Sequence, residues 1–241
     1  MELQPGFALG AAARFHVRSR WAERLRLNGG IEPVGAGLHP RADWRSPTPD
    51  ELSVLVDGAP PGVNPLRTNL LAIPARLRAA WWDHVDQAGY ERFASDLLDF
   101  LRFKDLPLPA LCEIEVAVSR PDQTGTRLYE TDRASPLAVF NLGDEASHIV
   151  MSNLPPAAMA DRIGEGGHHA AFADLVRRFF KVRSAYPLVR IRLDPGEGLW
   201  FPPCDVICDR WTREKRELDV LLTLRRSLAR PEHCSERYGL R

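Results

Sequence analysis

From Leu111 to Leu224 the sequence runs in short extended segments, each a few residues long and closed by turn residues. Strands this short and this frequent bury their apolar faces only against one another, which restricts the region to a sandwich or a barrel. In the first segment Cys112, Ile114, Val116 and Val118 alternate with Glu113, Glu115 and Ala117. That period of two sets one face of a strand in a core and turns the other towards water. Arg120 to Thr126, with Pro121, Asp122 and Gly125, reads as the turn that follows. Further strands are expected at Leu137 to Leu142, His148 to Leu154, Leu188 to Leu193, Leu199 to Phe201, Val206 to Trp211 and Leu218 to Leu224. One segment breaks the series. Phe172, Leu175, Val176, Phe179 and Phe180 share a helical face, which predicts a helix at about 168–181 inserted between strands. The flexible Gly164-Glu165-Gly166-Gly167 ahead of it reads as an access loop.

The residues before 110 obey different rules. Ala11 to Leu27 is rich in Arg and reads as a helix closed by Asn28-Gly29-Gly30. Eight prolines between 31 and 74 exclude long helices and central strands there. The expectation is an irregular wrap with a short strand at Leu52 to Val56. Leu77, Trp81, Trp82 and Val85, then Phe93, Leu97, Phe100 and Leu101, fit the faces of two helices broken near Gly89, and core packing is the ordinary role of such a stripe. The organisation predicted is therefore a helical and irregular part, 1–110, packed on a core, 111–241, as one integrated domain.

Charge and composition narrow the function classes. The 241 residues carry 32 basic and 32 acidic side chains and are 44% hydrophobic. That balance argues against a disordered chain and against the basic footprint of a nucleic-acid binder. No run of 18 apolar residues is present, and Met1 to Gly10 lacks the features of a secretion signal, so a cytoplasmic protein with no membrane partner is expected. Four cysteines are too few for a disulfide scaffold, and free thiols are expected.

The stretch Leu193-Asp194-Pro195-Gly196-Glu197-Gly198-Leu199-Trp200-Phe201-Pro202-Pro203 resembles the Pro-Gly-Glu turn, aromatic strand and Pro-Pro corner found late in double-stranded β-helix proteins, among them the cupins and the Fe(II)/2-oxoglutarate-dependent oxygenases. The resemblance spans about residues 111 to 224. It implies a mainly β protein with some α: a double-stranded β-helix (jelly-roll) core, N-terminal helices and an inserted helix. It also implies a metal-binding His shortly after the corner. Here Cys204-Asp205-Val206-Ile207-Cys208-Asp209 follows, which gives that position to Cys208. The earlier half of such a site is a His-x-Asp pair ahead of an Asn-Leu-Gly turn. Glu130-Thr131-Asp132 precedes Asn141-Leu142-Gly143 with that spacing, Glu replacing His. Residues i and i+2 of a strand point to one side, so Glu130 and Asp132 can share an ion with a third ligand from a distant strand. The implied metal set is Glu130, Asp132 and Cys208, two carboxylates and a thiolate in place of two imidazoles and a carboxylate.

Cosubstrate anchors are sought among the arginines. Arg190 and Arg192 share one face of a strand while Val189, Ile191 and Leu193 share the other. With the first face inside the barrel, both guanidiniums become carboxylate anchors. Arg216 belongs to a cluster with Arg210, Arg213 and Lys215, interspersed with Glu214 and Glu217, which reads either as a solvated turn or as another such anchor. His148, in an apolar strand, is an alternative metal ligand or a hydrogen-bonded core residue. Cys204, Cys208, His233 and Cys234 give a weak zinc signal. Cys208 is otherwise a nucleophile beside Asp209 or a buried, inert thiol.

Two functions from different classes follow. The first is an Fe(II)/2-oxoglutarate-like oxygenase (hydroxylase) acting on a small molecule or an amino-acid-derived substrate in a biosynthetic pathway, with iron and 2-oxoglutarate as cofactors. The second is a metal-free double-stranded β-helix protein that binds a small ligand or catalyses a non-oxidative rearrangement. In both the partner is a small molecule, and self-association into a homodimer is left open.

Overall fold

The computed structural model describes residues 15–16, 21–34, 37–57, 69–84, 86–106, 108–110, 112–121, 136–154, 156–164, 172–201 and 207–226. In chain order its elements are β1 (Phe15–His16), α1 (Trp21–Arg24), β2 (Leu25–Leu27), β3 (Ile31–Val34), β4 (Gly37–Pro40), α2 (Pro49–Leu55), β5 (Val56–Asp57) and β6 (Asn69–Ala72). Then come α3 (Ala75–Asp83), α4 (Gln87–Phe103), β7 (Cys112–Ser119), β8 (Pro136–Asn141), β9 (Ser147–Met151), α5 (Pro156–Arg162) and α6 (Phe172–Val182). The last four are β10 (Val189–Leu193), β11 (Glu197–Trp200), β12 (Cys208–Trp211) and β13 (Asp219–Arg226).

Two antiparallel sheets dominate. One has five strands in the order β6-β11-β8-β13-β7, the other four in the order β12-β9-β10-β2. They share one apolar cluster. Leu25, Leu27, Ile149, Met151, Val189, Ile191 and Leu193 of the smaller sheet meet Val139, Leu199 and Leu221 of the larger one. Because side chains alternate along a strand, the other face of each sheet needs its own cover. On the larger sheet Phe140, Trp200, Leu222 and Leu224 pack with Leu77, Phe93, Leu97 and Leu101 of α3 and α4. On the smaller, Val150 and Trp211 pack with Met159 of α5 and with Val176, Phe179 and Phe180 of α6. The order of layers is thus helices, sheet, sheet, helices, consistent with a β-sandwich clad on both sides.

Close sheet packing explains one glycine. Gly198 pairs with Phe140 across β11 and β8, and a Cβ there would run into the Phe140 ring and the Val139 carbonyl. Asn141 fixes the turn after β8: its amide donates to the carbonyls of Glu145 (2.9 Å) and Leu193 (3.0 Å), and its Oδ1 accepts from the Gly143 N–H (2.9 Å).

The strands expected after residue 110 form with boundaries shifted by a few residues, and the inserted helix is α6. The N-terminal part departs from expectation. In place of a helix reaching Leu27, the helix is confined to Trp21–Arg24 and the chain continues as a strand, because Leu25 and Leu27 pair with β10 and turn into the inter-sheet core. Leu52 to Val56 is mostly helix, not strand. Thr48 and Glu51 form a capping box: the Thr48 N–H donates to Glu51 Oε2 (2.8 Å) and the Glu51 N–H to Thr48 Oγ1 (3.2 Å). Pro49 sits at the first helical position, where its missing N–H costs nothing. Residues before 110 also enter both sheets, β2 in one and β6 in the other, so this segment extends the two sheets as well as covering them. Among the described residues no helix is long and apolar enough to cross a membrane.

Candidate functional site

The centre of the inter-sheet space is apolar, and polar side chains line it along β7, β13 and β12. Leu221 turns into the shared core while Val220, Leu222 and Leu224 face the helices, so alternation puts Thr223 on the inner face of β13; the register with β8 shifts between Leu224 and Arg225, but that with β7 runs on unbroken and keeps Arg225 on the same side as Thr223. On β7 the residues Cys112, Ile114 and Val116 face the helices, which turns Glu113, Glu115 and Ser119 inward. The register sets Glu115 opposite Thr223 and Glu113 opposite Arg225. Arg225 reaches diagonally, its Nε 3.6 Å from Glu115 Oε2, with 18% of its side chain exposed. From the facing sheet, β12 brings Cys208 and Arg210 opposite Met151 and Ile149. Arg210 donates to Ser119 Oγ and so ties the two sheets together. Arg225, Thr223 and Glu115 thus lie together towards one end of the β7–β13 pairing, and Arg210 with Ser119 towards the other, where Ser119 stands opposite Asp219.

Cys208 is the one member of the implied metal set among the described residues; Glu130 and Asp132 lie outside them. Cys204, His233 and Cys234 of the zinc signal, and Glu165 to Gly167 of the access loop, lie outside them too. The Cys208 thiol packs against the shared core. Burial, helped by the Asp209 charge and opposed by Arg225, pushes its pKa up to about 12. It therefore holds its proton at neutral pH when no metal is bound, which makes it a poor nucleophile. Among the described residues no three His, Cys, Asp or Glu side chains are placed to share a metal ion.

The three expected anchoring arginines are not brought together. Val189, Ile191 and Leu193, not Arg190 and Arg192, face the inter-sheet core. The period of two holds and the expected face does not: with helices covering the outer face, that face also buries side chains, and burial alone does not tell the two apart. Arg190 is buried there, its Nη1 bonded to Glu214 and its guanidinium 4.9 Å over the Trp44 ring. Arg192 is exposed and bonds Asp194 at 2.9 Å. Arg216 lies in the exposed turn before β13, where its backbone N–H donates to Glu145 Oε2 at 3.0 Å. His148 sits on the outer face between Arg192 and Trp211 in register. Burial, with the Arg190 charge, lowers its pKa to about 4 and keeps it neutral.

No protein-family model, curated protein or solved structure matches the chain. Its function has to be read from its own residues.

Arg225 and Glu115 do not stand out as site residues in the sequence. The signal for them is the alternation of Leu221, Thr223 and Arg225 against Val220, Leu222 and Leu224, since a strand with one fully apolar face and a polar end on the other marks an inward-facing rim.

Proposed function

We propose that the chain is a jelly-roll protein that takes a small acidic molecule into the space between its sheets, in the metal-free, non-oxidative class, with Arg225 holding the carboxylate. An eight-strand jelly roll orders its strands first-eighth-third-sixth in one sheet and second-seventh-fourth-fifth in the other. With β7 as first and β13 as eighth, the order β7-β13-β8-β11 and the order β12-β9-β10 both fit this scheme, with β6 and β2 added at the ends. The observation that carries the functional reading is the inward, largely buried guanidinium of Arg225 beside the apolar inter-sheet core. Polar groups placed sparsely in an apolar recess are what orients a small ligand. In this reading Glu115 steadies Arg225, Arg210 and Ser119 hold the sheets at a fixed gap, and the protonated Cys208 supplies apolar wall.

Calorimetric titration with small dicarboxylates, 2-oxoglutarate and succinate among them, tests this. Arg225→Met is expected to weaken binding by about 10- to 100-fold, the loss of one charge-assisted pair. Equal binding by wild type and variant would overturn it.

A second reading keeps the oxygenase. It rests on Cys208, the third member of the implied metal set, opening β12, which takes the seventh place in the scheme. Glu130 and Asp132, the other two members of the set, lie outside the described residues. Anaerobic titration with Fe(II) separates the two readings. Near-stoichiometric binding lost in Asp132→Ala, with oxygen-dependent consumption of 2-oxoglutarate, would replace the metal-free reading by this one.

A further inference from the structure

We infer that the outer face of the four-stranded sheet carries a second, separate binding site, for a monocarboxylate with an apolar body, built from Arg190, Trp44, Trp211 and His148. These four side chains are in one group. The Arg190 guanidinium lies 4.9 Å over the Trp44 ring, Trp44 meets Trp211 edge-on with centroids 5.6 Å apart, and Trp211 stands opposite His148 across β12 and β9. Each contributes a nitrogen that is closed off from solvent and has no hydrogen-bond partner: Arg190 Nε, Trp44 Nε1, Trp211 Nε1 and His148 Nδ1.

Such a set is chemically one-sided. An indole N–H and a guanidinium N–H only donate, so three of the four atoms demand acceptors. A buried donor left without one costs about 1–3 kcal/mol, and three such donors on touching side chains favour an oxygen-rich group beside them. A water molecule answers poorly, since its own two hydrogens would then need acceptors in the same place. A carboxylate only accepts, and its two oxygens offer about four lone-pair directions.

Charge selects a monoanion. Arg190 is the buried cation of the group, and Glu214, half-exposed, already engages its Nη1. The other charged groups that face His148 are Arg192 and Lys215; Arg192 bonds Asp194 and Lys215 pairs with Asp219. A phosphate dianion would therefore bring more negative charge than this group of side chains compensates. Trp44 and Trp211 adjoin the apolar layer beneath α5 and α6, which suits a flat or aliphatic body behind the carboxylate. The site lies on the opposite face of the sheet from the Arg225 site and is independent of it.

Benzoate is the probe, followed by the indole N–H resonances of Trp44 and Trp211 and by tryptophan fluorescence. Wild-type protein is expected to bind benzoate saturably, with both indole N–H signals shifted, and inorganic phosphate is expected to leave them unmoved. Arg190→Met should abolish the response, and Trp44→Phe should weaken it. Glu214→Gln, a surface change that removes the competing carboxylate, should tighten binding by about 3- to 10-fold, in line with relief of one partly screened like-charge contact. Arg225→Met should leave the benzoate response intact, so failure of the inter-sheet reading and failure of this one are told apart. If neither wild type nor Glu214→Gln shows a saturable shift at millimolar benzoate, the nitrogens serve water only and the inference falls. An equal response to phosphate would also overturn it.

Discussion

Lys215 Nζ stands 3.1 Å from Asp219 Oδ1, and each side chain is only 1% exposed. The same ammonium reaches the carbonyls of Glu145 (3.2 Å) and Ala146 (3.3 Å) and the Ser147 hydroxyl (3.3 Å), and that hydroxyl in turn donates to Asp219 Oδ1 (2.5 Å). The turn entering β13 is thereby locked to the turn entering β9, and the larger sheet is tied to the smaller one.

Lys215→Met leaves the Asp219 carboxylate buried without its counter-ion, and a loss of about 3–5 kcal/mol in unfolding free energy is expected. Replacing both, as Lys215→Met with Asp219→Leu, should recover much of that loss, because no charge is then stranded. Urea denaturation of the two variants measures this. A single variant within about 1 kcal/mol of wild type would show that the pair is not held dry.

Gly198→Ala should cost about 1–3 kcal/mol through overpacking, because its Cβ has only the Phe140 ring and a strand carbonyl to push against. Coupling it with Phe140→Leu should return part of the stability if the ring is the obstacle. Thermal unfolding of the single and double variants decides between ring and backbone.

Cys208, with its thiol pushed up to about 12, should resist alkylation in the native protein at pH 8, since the thiolate is the reacting species. Iodoacetamide labelling followed by mass spectrometry of the peptide is the readout. Labelling as fast as in urea would place the thiol in an open, charge-stabilising setting and revive it as a nucleophile.

His148 has its folded pKa lowered to about 4 from an ordinary value near 6.5. The unfolded chain therefore binds a proton that the folded chain refuses between those values, and stability falls as pH drops through that window. A tenfold difference in proton affinity between the two states is worth about 1.4 kcal/mol, so the partly buried ring makes an effect of about 2–3 kcal/mol between pH 7 and pH 4. His148→Phe should flatten this part of the stability profile. An imidazole titrating near 6.5 by NMR in the native protein would refute the assignment.

The local patterns are readable because they arise from near neighbours. Alternation sets the strands around Cys112 to Val118 and Leu218 to Leu224, and the stripe through Val176, Phe179 and Phe180 sets the inserted helix. The capping box of Thr48 and Glu51 is equally local and is masked by the density of prolines, which at Pro49 start a helix instead of breaking one.

The sequence by itself thus determined which segments extend, which coil into helices, and which residues share a face. Only the tertiary structure decided which of two faces turns inward. Val189, Ile191 and Leu193 on one side and Arg190 on the other are all buried, because each sheet is covered twice, and no local period distinguishes the two covers. The same holds for the site. Arg225 meets Glu115 across a pairing between strands 110 positions apart, and Leu25 and Leu27 become a strand only because β10 offers them an edge. Both depend on hydrogen bonds and apolar contacts made after the chain has folded back on itself. A propensity summed over neighbouring residues does not contain those interactions.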